Sequence, residues 1–259
     1  MTGQASLLRA LHRPGAPVVL PNVWDAASAR VVETAGFAAI ATSSAAVAEA
    51  LGYADGEATP VGEMFDAVTR IVAAVRVPVT ADLERGYGLG PGELVERLAA
   101  SGAVGCNLED SDPGTGTLLD AAGQADFLAA VREAARRAGV DLVINARIDT
   151  FLHGPGDPQD QLADSVRRAR CYLDAGADCV FPILVAGRPA IRELVHETGG
   201  MVNILFRTGP PPTSSLADLA ELGVARVSFG PGLHRAGHEH LAAMVATIKV
   251  GGDPYTQPT

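Results

Sequence analysis

One phrase recurs along this chain and constrains its fold more than any other feature. It is an amphipathic stretch, a glycine, then a short apolar run. The copies are ETAGFAAIATS around Gly36, AASGAVGCNLED around Gly102, RRAGVDLVINAR around Gly139, LDAGADCVFPI around Gly176 and AELGVARVSFGP around Gly223. A glycine just past a helix takes the left-handed conformation at little steric cost, so it ends the helix cleanly. The apolar run that follows reads as a strand buried on both faces. Val18–Leu20 and Val77–Thr80, each behind a proline-containing turn, and Met201–Leu205, behind Gly199–Gly200, are three further runs. Amphipathic helices are expected between them, near Asp25–Ala35, Val61–Val75, Pro91–Ala100, Gly123–Ala138, Gln159–Ala175, Arg188–Glu197, Ser214–Glu221 and Pro231–Ile248. Asp25, Ser214 and Pro91 suit helix starts. Eight strands alternating with eight helices predict an α/β chain folded as a (β/α)8 TIM barrel. That barrel would be a single domain over residues 1–250, with 251–259 as a loose tail. A doubly wound open sheet is the competing arrangement.

Composition narrows the partners. The chain has 259 residues and a formal charge of −10, with a pI near 5.0. A phosphate backbone wants a basic surface, so no nucleic-acid partner is expected. Three cysteines make no disulfide framework. The opening MTGQASLLRALHRPG has no long apolar core after its charges, so it is not expected to act as a signal peptide. No apolar run reaches about 18 residues, so no membrane span is expected. The cytoplasm is the expected location.

In a parallel barrel the active site forms at the C-terminal ends of the strands. Those ends carry Thr42-Ser43-Ser44, Asp82-Leu83-Glu84, Glu109-Asp110 and Asn145-Ala146-Arg147, followed later by a segment with Asn203 and Arg207. Neighbouring strands lie about 4.8 Å apart, which would crowd Asp82, Glu84 and Glu109 into one small volume. Like charges that close either raise a pKa or need a cation. Oxygen-only ligands favour a hard ion, Mg²⁺ or Mn²⁺. Singly, each acid could instead cap a helix or pair with an arginine. The Arg147 guanidinium could grip a substrate carboxylate bidentately, or serve as a counter-ion for Glu109 or Asp149. Backbone N–H groups of the TSSAA turn could meet an anion, or the small residues could simply pack closely. The loop Ser111–Thr117 has the length of a lid. His234, His238 and His240 share the last helix with no acid at a strand end to accompany them, and read as a solvated or interface face.

These residues resemble a known group. VTADLERGYG at 79–88 is similar to the metal motif of the isocitrate lyase/phosphoenolpyruvate mutase superfamily. The resemblance extends through LPNVWDAASA (20–29), LGYADGE (51–57), NLED (107–110) and NARIDTFL (145–152). It is nearest to the small bacterial branch of that superfamily. It implies a Mg²⁺-dependent barrel acting on 2-oxo acids or related carboxylates. Asp82 would be the direct metal ligand, with Glu84, Glu109 and Asp55 holding metal-bound waters. Asp55, Glu109 and Arg147 would be the catalytic groups. Trp24, Ser43, Ser44, Asp82, Arg147 and Asn203 would meet the substrate. The resemblance also implies a homo-oligomer, a dimer or tetramer, with the last helix exchanged between subunits.

One departure bears on the reaction. Lyases of the group carry lysine and cysteine in the lid, and mutases and phosphonopyruvate hydrolases a lysine. Here the lid is EDSDPGTGTLLD, with no lysine, cysteine or histidine. That argues against isocitrate or methylisocitrate lyase and, on the resemblance, against a mutase. The expected reaction is cleavage of a C–C bond in a small 2-oxo or 2-hydroxy dicarboxylate. It would be oxaloacetate decarboxylase-like, through a metal-stabilised enolate protonated by solvent. Mutase or phosphonopyruvate hydrolase activity is the first alternative. A catalytically weak 2-oxo acid-binding protein is the second.

Overall fold

Glycine and proline decide where most elements start and stop. The computed structural model describes residues 2–207 and 214–256. Its first third holds α1 (Thr2–Leu11), β1 (Val18–Leu20), β2 (Asn22–Val23), α2 (Ala26–Thr34), β3 (Ile40–Thr42), α3 (Ser44–Leu51), α4 (Val61–Ala73) and β4 (Val79–Asp82). Then come α5 (Pro91–Ser101), β5 (Gly105–Glu109), α6 (Ala121–Arg137), β6 (Val143–Ile148), α7 (Thr150–His153), α8 (Pro158–Asp174) and β7 (Cys179–Pro182). The last part is α9 (Arg188–Glu197), β8 (Asn203–Leu205), α10 (Leu216–Glu221), β9 (Arg226–Ser228) and α11 (Gly232–Lys249). Residues 257–259 of the expected tail lie outside the described residues.

The glycine reading is reproduced residue by residue. Gly36, Gly102, Gly139, Gly176 and Gly223 all have φ between 65° and 100°, and each lies between a helix and the next strand. Asp25 caps α2 in a capping box with Ser28, and Pro91 opens α5. The cap of α10 is Ser215, boxed with Asp218, rather than Ser214.

Every strand pair is parallel. One sheet runs β2-β3-β4-β5-β6-β7 and the other β1-β9-β8. Pro21 separates β1 from β2 and has no N–H to give a continuous ladder, so one strand position serves both sheets. At the other seam Val180 bridges Val202. Counting β1 and β2 as one position leaves eight, in the TIM-barrel-like α/β architecture.

Three helices were not expected from the sequence. α1 packs Ala5 and Leu8, both fully buried, against Val18, Leu20, Ala39, Ala41, Val104 and Val143. Val18, Ala39, Val104 and Val143 lie at or just before the N-terminal ends of β1, β3, β5 and β6, so α1 plugs that end. Burying Leu8 alone contributes about 1.5–3 kcal/mol. The other two are α7, a single turn after β6, and α3. The TSSAA segment is the start of α3 rather than a turn. Its alanines favour helix, and Ser43 Oγ accepts from Ala46 N at 3.4 Å as the N-cap.

Candidate active site

Strand register sets the site. Asp82 is level with Asn107, and Asn107 with Asn145. Two residues further on, Glu109 is level with Arg147. Alternate strand residues share a face, so these side chains point away from the helices. Ala81, Cys106, Leu108, Ile144 and Ala146 join the helix-facing core instead.

Asp82 is heavily engaged. Its Oδ2 accepts from Ser44 N at 3.0 Å and Ser44 Oγ at 2.8 Å, and its Oδ1 from Asn107 Nδ2 at 3.3 Å. Asn107 Oδ1 in turn accepts from Asn145 Nδ2 at 2.8 Å and Arg226 Nη2 at 3.1 Å. Arg226 is fully buried, with Nε and Nη1 unpartnered. Burial lowers its pKa to about 10. It places positive charge behind the acids, joined to Asp82 through one asparagine.

A second cluster holds Glu84. Glu84 Oε2 accepts from Glu57 N at 2.6 Å and Oε1 from Tyr87 Oη at 3.0 Å. Tyr87 N donates to Glu57 Oε1 at 2.6 Å. Glu57, Glu84 and Tyr87 all have positive φ, 60°, 51° and 57°. Non-glycine residues held there cost of order 1–3 kcal/mol each and cluster at functional sites. Burial, then Asp55 and Asp82, raise the Glu84 pKa to about 7. Burial and Asp82 also raise Asp55, against the Gly56 N–H, Arg147 and Arg235. Asp55, Asp82 and Glu84 therefore feel one another's charge.

Glu109 and Arg147 form the third group. Glu109 Oε2 lies 2.6 Å from Arg147 Nη1, yet the pair is not aligned as a hydrogen bond and that oxygen is otherwise unpartnered. Burial raises the Glu109 pKa, opposed by Arg147 and reinforced by Asp149. Arg147 Nε and Nη2 reach Asp149 at 2.6 and 3.2 Å. The counter-ion arrangement is thus the one present, and a substrate carboxylate would have to take Arg147 from an acid.

Other expectations need amendment. Ser43 N donates to Val23 O at 3.2 Å, and Ser44 spends both donors on Asp82. Ser44 therefore has no free donor for an anion in this arrangement, and the Ser43 backbone N–H is also taken. Asn203 is fully buried, and its amide bonds to Ser228 Oγ at 3.0 Å. Trp24, half-buried, packs its ring edge-on to His234 at 4.8 Å. The acid beside His234 and His238 comes from a helix and not from a strand end: Glu49 of α3, whose Oε2 is 3.4 Å from His234 Nδ1. His234 is buried, not solvated.

The expected lid segment, Ser111–Thr117, is closed at its base. Ser111 bridges Leu118 in antiparallel fashion, Asp112 N donates to Thr117 O at 2.9 Å, and Leu119 N to Asp110 O at 2.8 Å. Fully buried Asp110 accepts from Tyr172 Oη at 2.6 Å, Asp149 N at 2.8 Å and Arg168 Nη1 at 2.9 Å. Ser111 Oγ donates to Asp149. Asp149 thus ties the lid to Arg147. The sequence alone offered it only as a partner of Arg147, because its link to the loop runs through Ser111, on a different strand end.

A barrel-like α/β fold with carboxylates gathered at strand ends defines an enzyme class that binds a divalent cation and small carboxylates. The chain belongs to the isocitrate lyase/phosphoenolpyruvate mutase superfamily, the phosphoenolpyruvate phosphomutase family model matching residues 8–249. It is 36% identical to the uncharacterized protein Rv1998c of Mycobacterium tuberculosis (strain H37Rv), over 88% of this chain and 85% of that protein. A crystal structure from Burkholderia cenocepacia J2315, provisionally called a phosphonomutase, is 46% identical. It covers 94% of this chain and 99% of that one, with a TM-score of 0.87. An oxaloacetate decarboxylase of Rhodopseudomonas palustris (strain BisB5) is 29% identical, over 93% of this chain and 81% of that protein. The superfamily carries out Mg²⁺-dependent C–C lyase or mutase chemistry on small oxo- or hydroxy-dicarboxylates.

Dependence on Mg²⁺ or Mn²⁺ goes with this membership, and the chain has the donor groups for a divalent ion. Among the described residues, one group of His, Cys, Asp or Glu brings its donor atoms within 4.8 Å of one another: Glu49, His234 and His238. The strand-end acids are a separate, all-oxygen set, and the raised pKa values of Asp55, Glu84 and Glu109 are what a hard dication would relieve. No helix among the described residues is long and apolar enough to cross a membrane.

Proposed function

We propose that this chain moves a phosphoryl group between carbon and oxygen of a small 2-oxo acid, interconverting a phosphonopyruvate-type and an enol phosphate-type compound. The observation that carries this is the lid. Residues 111–118 present no lysine, cysteine or histidine. A C–C lyase must protonate the carbon it releases. A mutase need not: the C–P bond breaks, an O–P bond forms at the former carbonyl oxygen, and the two compounds are isomers with no net proton. Atom balance therefore reverses the weight that lid composition carried against a mutase. The family model and the Burkholderia cenocepacia relative support the same reading.

Asp82, with Glu84, Glu109 and Asp55 at one remove through water, would hold a divalent ion. That ion supplies charge to the oxygens of the 2-oxo acid. If Asp82 turns towards a cation, Ser44 N and Oγ are released to receive a substrate carboxylate. Asp55 is the carboxylate suited to take the phosphoryl group in passing, since carboxylates serve as such nucleophiles. Arg147 would balance the charge that gathers, and Trp24 and Asn203 would line the pocket. Copies would assemble through α11, whose Leu241, Val245 and Ile248 are exposed.

Phosphorus NMR of phosphonopyruvate with Mg²⁺ tests this. The phosphonate resonance should give way to a phosphate ester, and not in Asp82→Ala. Release of inorganic phosphate would indicate the hydrolase instead. A spectrum identical to the Asp82→Ala control sinks the proposal. The second reading, decarboxylation of oxaloacetate with solvent as proton donor, is favoured by the Rhodopseudomonas palustris relative, and pyruvate release from oxaloacetate reads it directly. Saturable 2-oxo acid binding without any turnover would instead mark a binding protein.

A further inference from the structure

None of the strand-end acids belongs to the group formed by Glu49, His234 and His238. Glu49 lies in the last turn of α3. The two histidines are one turn apart on α11, the spacing that puts both on one helix face. Their donor atoms and the Glu49 carboxylate all lie within 4.8 Å of one another. The imidazole rings are edge-on, with centroids 4.2 Å apart and planes at 88°. Trp24 packs on the His234 ring.

His234 supplies an independent sign of a missing ligand. Its side chain is 2% exposed, yet Nδ1 has no hydrogen-bond partner. A buried polar atom left unsatisfied costs about 1–3 kcal/mol. Glu49 Oε2 is near, at 3.4 Å, but does not complete a hydrogen bond.

We propose that Glu49, His234 and His238 bind Zn²⁺ or a similar borderline transition ion, separately from the hard-cation site at the strand ends. Two imidazole nitrogens and one carboxylate are a zinc-type set, with a fourth position left for water. Mg²⁺ prefers oxygen ligands in an octahedron. The ion would fasten α11 to α3. That fastening matters because His234 is the one buried residue among the eighteen of α11, so little else holds this long helix to its own chain.

The test uses the full chain stripped with a chelator, then titrated with Zn²⁺ in excess Mg²⁺. Co²⁺ serves as a visible-absorption probe. One equivalent of Zn²⁺ should bind. Loss of an outer-sphere partner already costs about 10- to 100-fold in metal affinity, so His238→Ala and Glu49→Gln should each cost at least that. Both side chains are exposed, so the variants should fold, and circular dichroism checks it. Asp82→Asn should leave Zn²⁺ uptake unchanged. Hydrogen exchange in α11 should slow on Zn²⁺ addition in the parent chain and not in His238→Ala. No uptake in excess Mg²⁺, uptake indifferent to both variants, or uptake abolished by Asp82→Asn would each overturn the proposal.

Discussion

Glu84 should make the metal-free protein lose stability as the pH rises. Its carboxyl is raised to about 7 from 4.5. Between those values the folded chain holds a proton that the unfolded chain has released. Stability then falls with rising pH, because its slope follows protons bound unfolded minus protons bound folded. The stabilisation is fully present below pH 4.5 and gone above about pH 7. Two and a half pH units at 1.36 kcal/mol each give about 3 kcal/mol. Asp55 and Glu109 are raised too and act in the same direction. The Glu84 share is therefore read as a difference against Glu84→Gln, which keeps an acceptor for Tyr87 and cannot ionise. The assay is urea unfolding followed by circular dichroism at pH 5 and pH 8, in chelator and again in Mg²⁺. In chelator the parent chain should lose about 2.5 kcal/mol more than Glu84→Gln between the two pH values, slightly less than the whole because pH 5 already lies above 4.5. Mg²⁺ should shrink that gap, since an ion at the acids favours their charged forms. Equal losses in parent and variant would refute the reasoning, and so would a gap that Mg²⁺ leaves untouched.

Further tests follow from buried polar groups and close contacts. Asp110→Ala strips a buried acceptor from Arg168, Tyr172 and the Asp149 N–H. It should cost about 3 kcal/mol, the lower end for a broken buried ion pair, because Arg168 keeps Asp164 and Leu119 O. Tyr172→Phe should cost about 1.5–3 kcal/mol, the value of a hydrogen bond to a charged group; thermal unfolding reads both. Gly200 has φ +84°, and an added Cβ would lie 2.6 Å from Pro14 Cβ and 2.7 Å from Gly223 O. Gly200→Ala should therefore cost about 2–4 kcal/mol, combining left-handed strain with overpacking, and a change under about 0.5 kcal/mol would refute that packing. Arg226→Met removes the charge behind Asn107. It should leave Asp82 less firmly set and weaken Mg²⁺ binding by calorimetry, with Arg226→Lys partly restoring it.

The strands could be read from the sequence because each repeat glycine occupies a backbone conformation that other residues reach only with strain. The position marks itself. The acids were readable for a related reason: a strand end is a fixed point, and register carries Asp82, Glu109 and Arg147 to neighbouring fixed points. What escaped has a physical cause in each case. α3 is nearly uniform in small residues, so it shows no polar face to betray its period. Glu49 stands far from His234 in the chain and joins it only through packing of two helices, which no spacing rule sees. Ser44 reads as an anion ligand until the structure shows that Asp82 takes both its donors. Arg147 had two readings, and deciding between them needed the positions of Glu109 and Asp149 together.

The closed base of the lid has a consequence for how this scaffold changes over time. Its two ends leave and re-enter side by side, stitched by the Leu119–Asp110 and Asp112–Thr117 backbone bonds and anchored by Asp110 to α8. Outside these stitches the tip meets the body of the chain through side chains, as Arg85 does on Asp112 at 3.4 Å. The segment behaves as an interchangeable cassette: a tip bearing a lysine or a thiol could be grafted between those stitches without disturbing a strand. Reaction type could thus drift by exchange of a few residues while the chelating and carboxylate-binding parts stay in place.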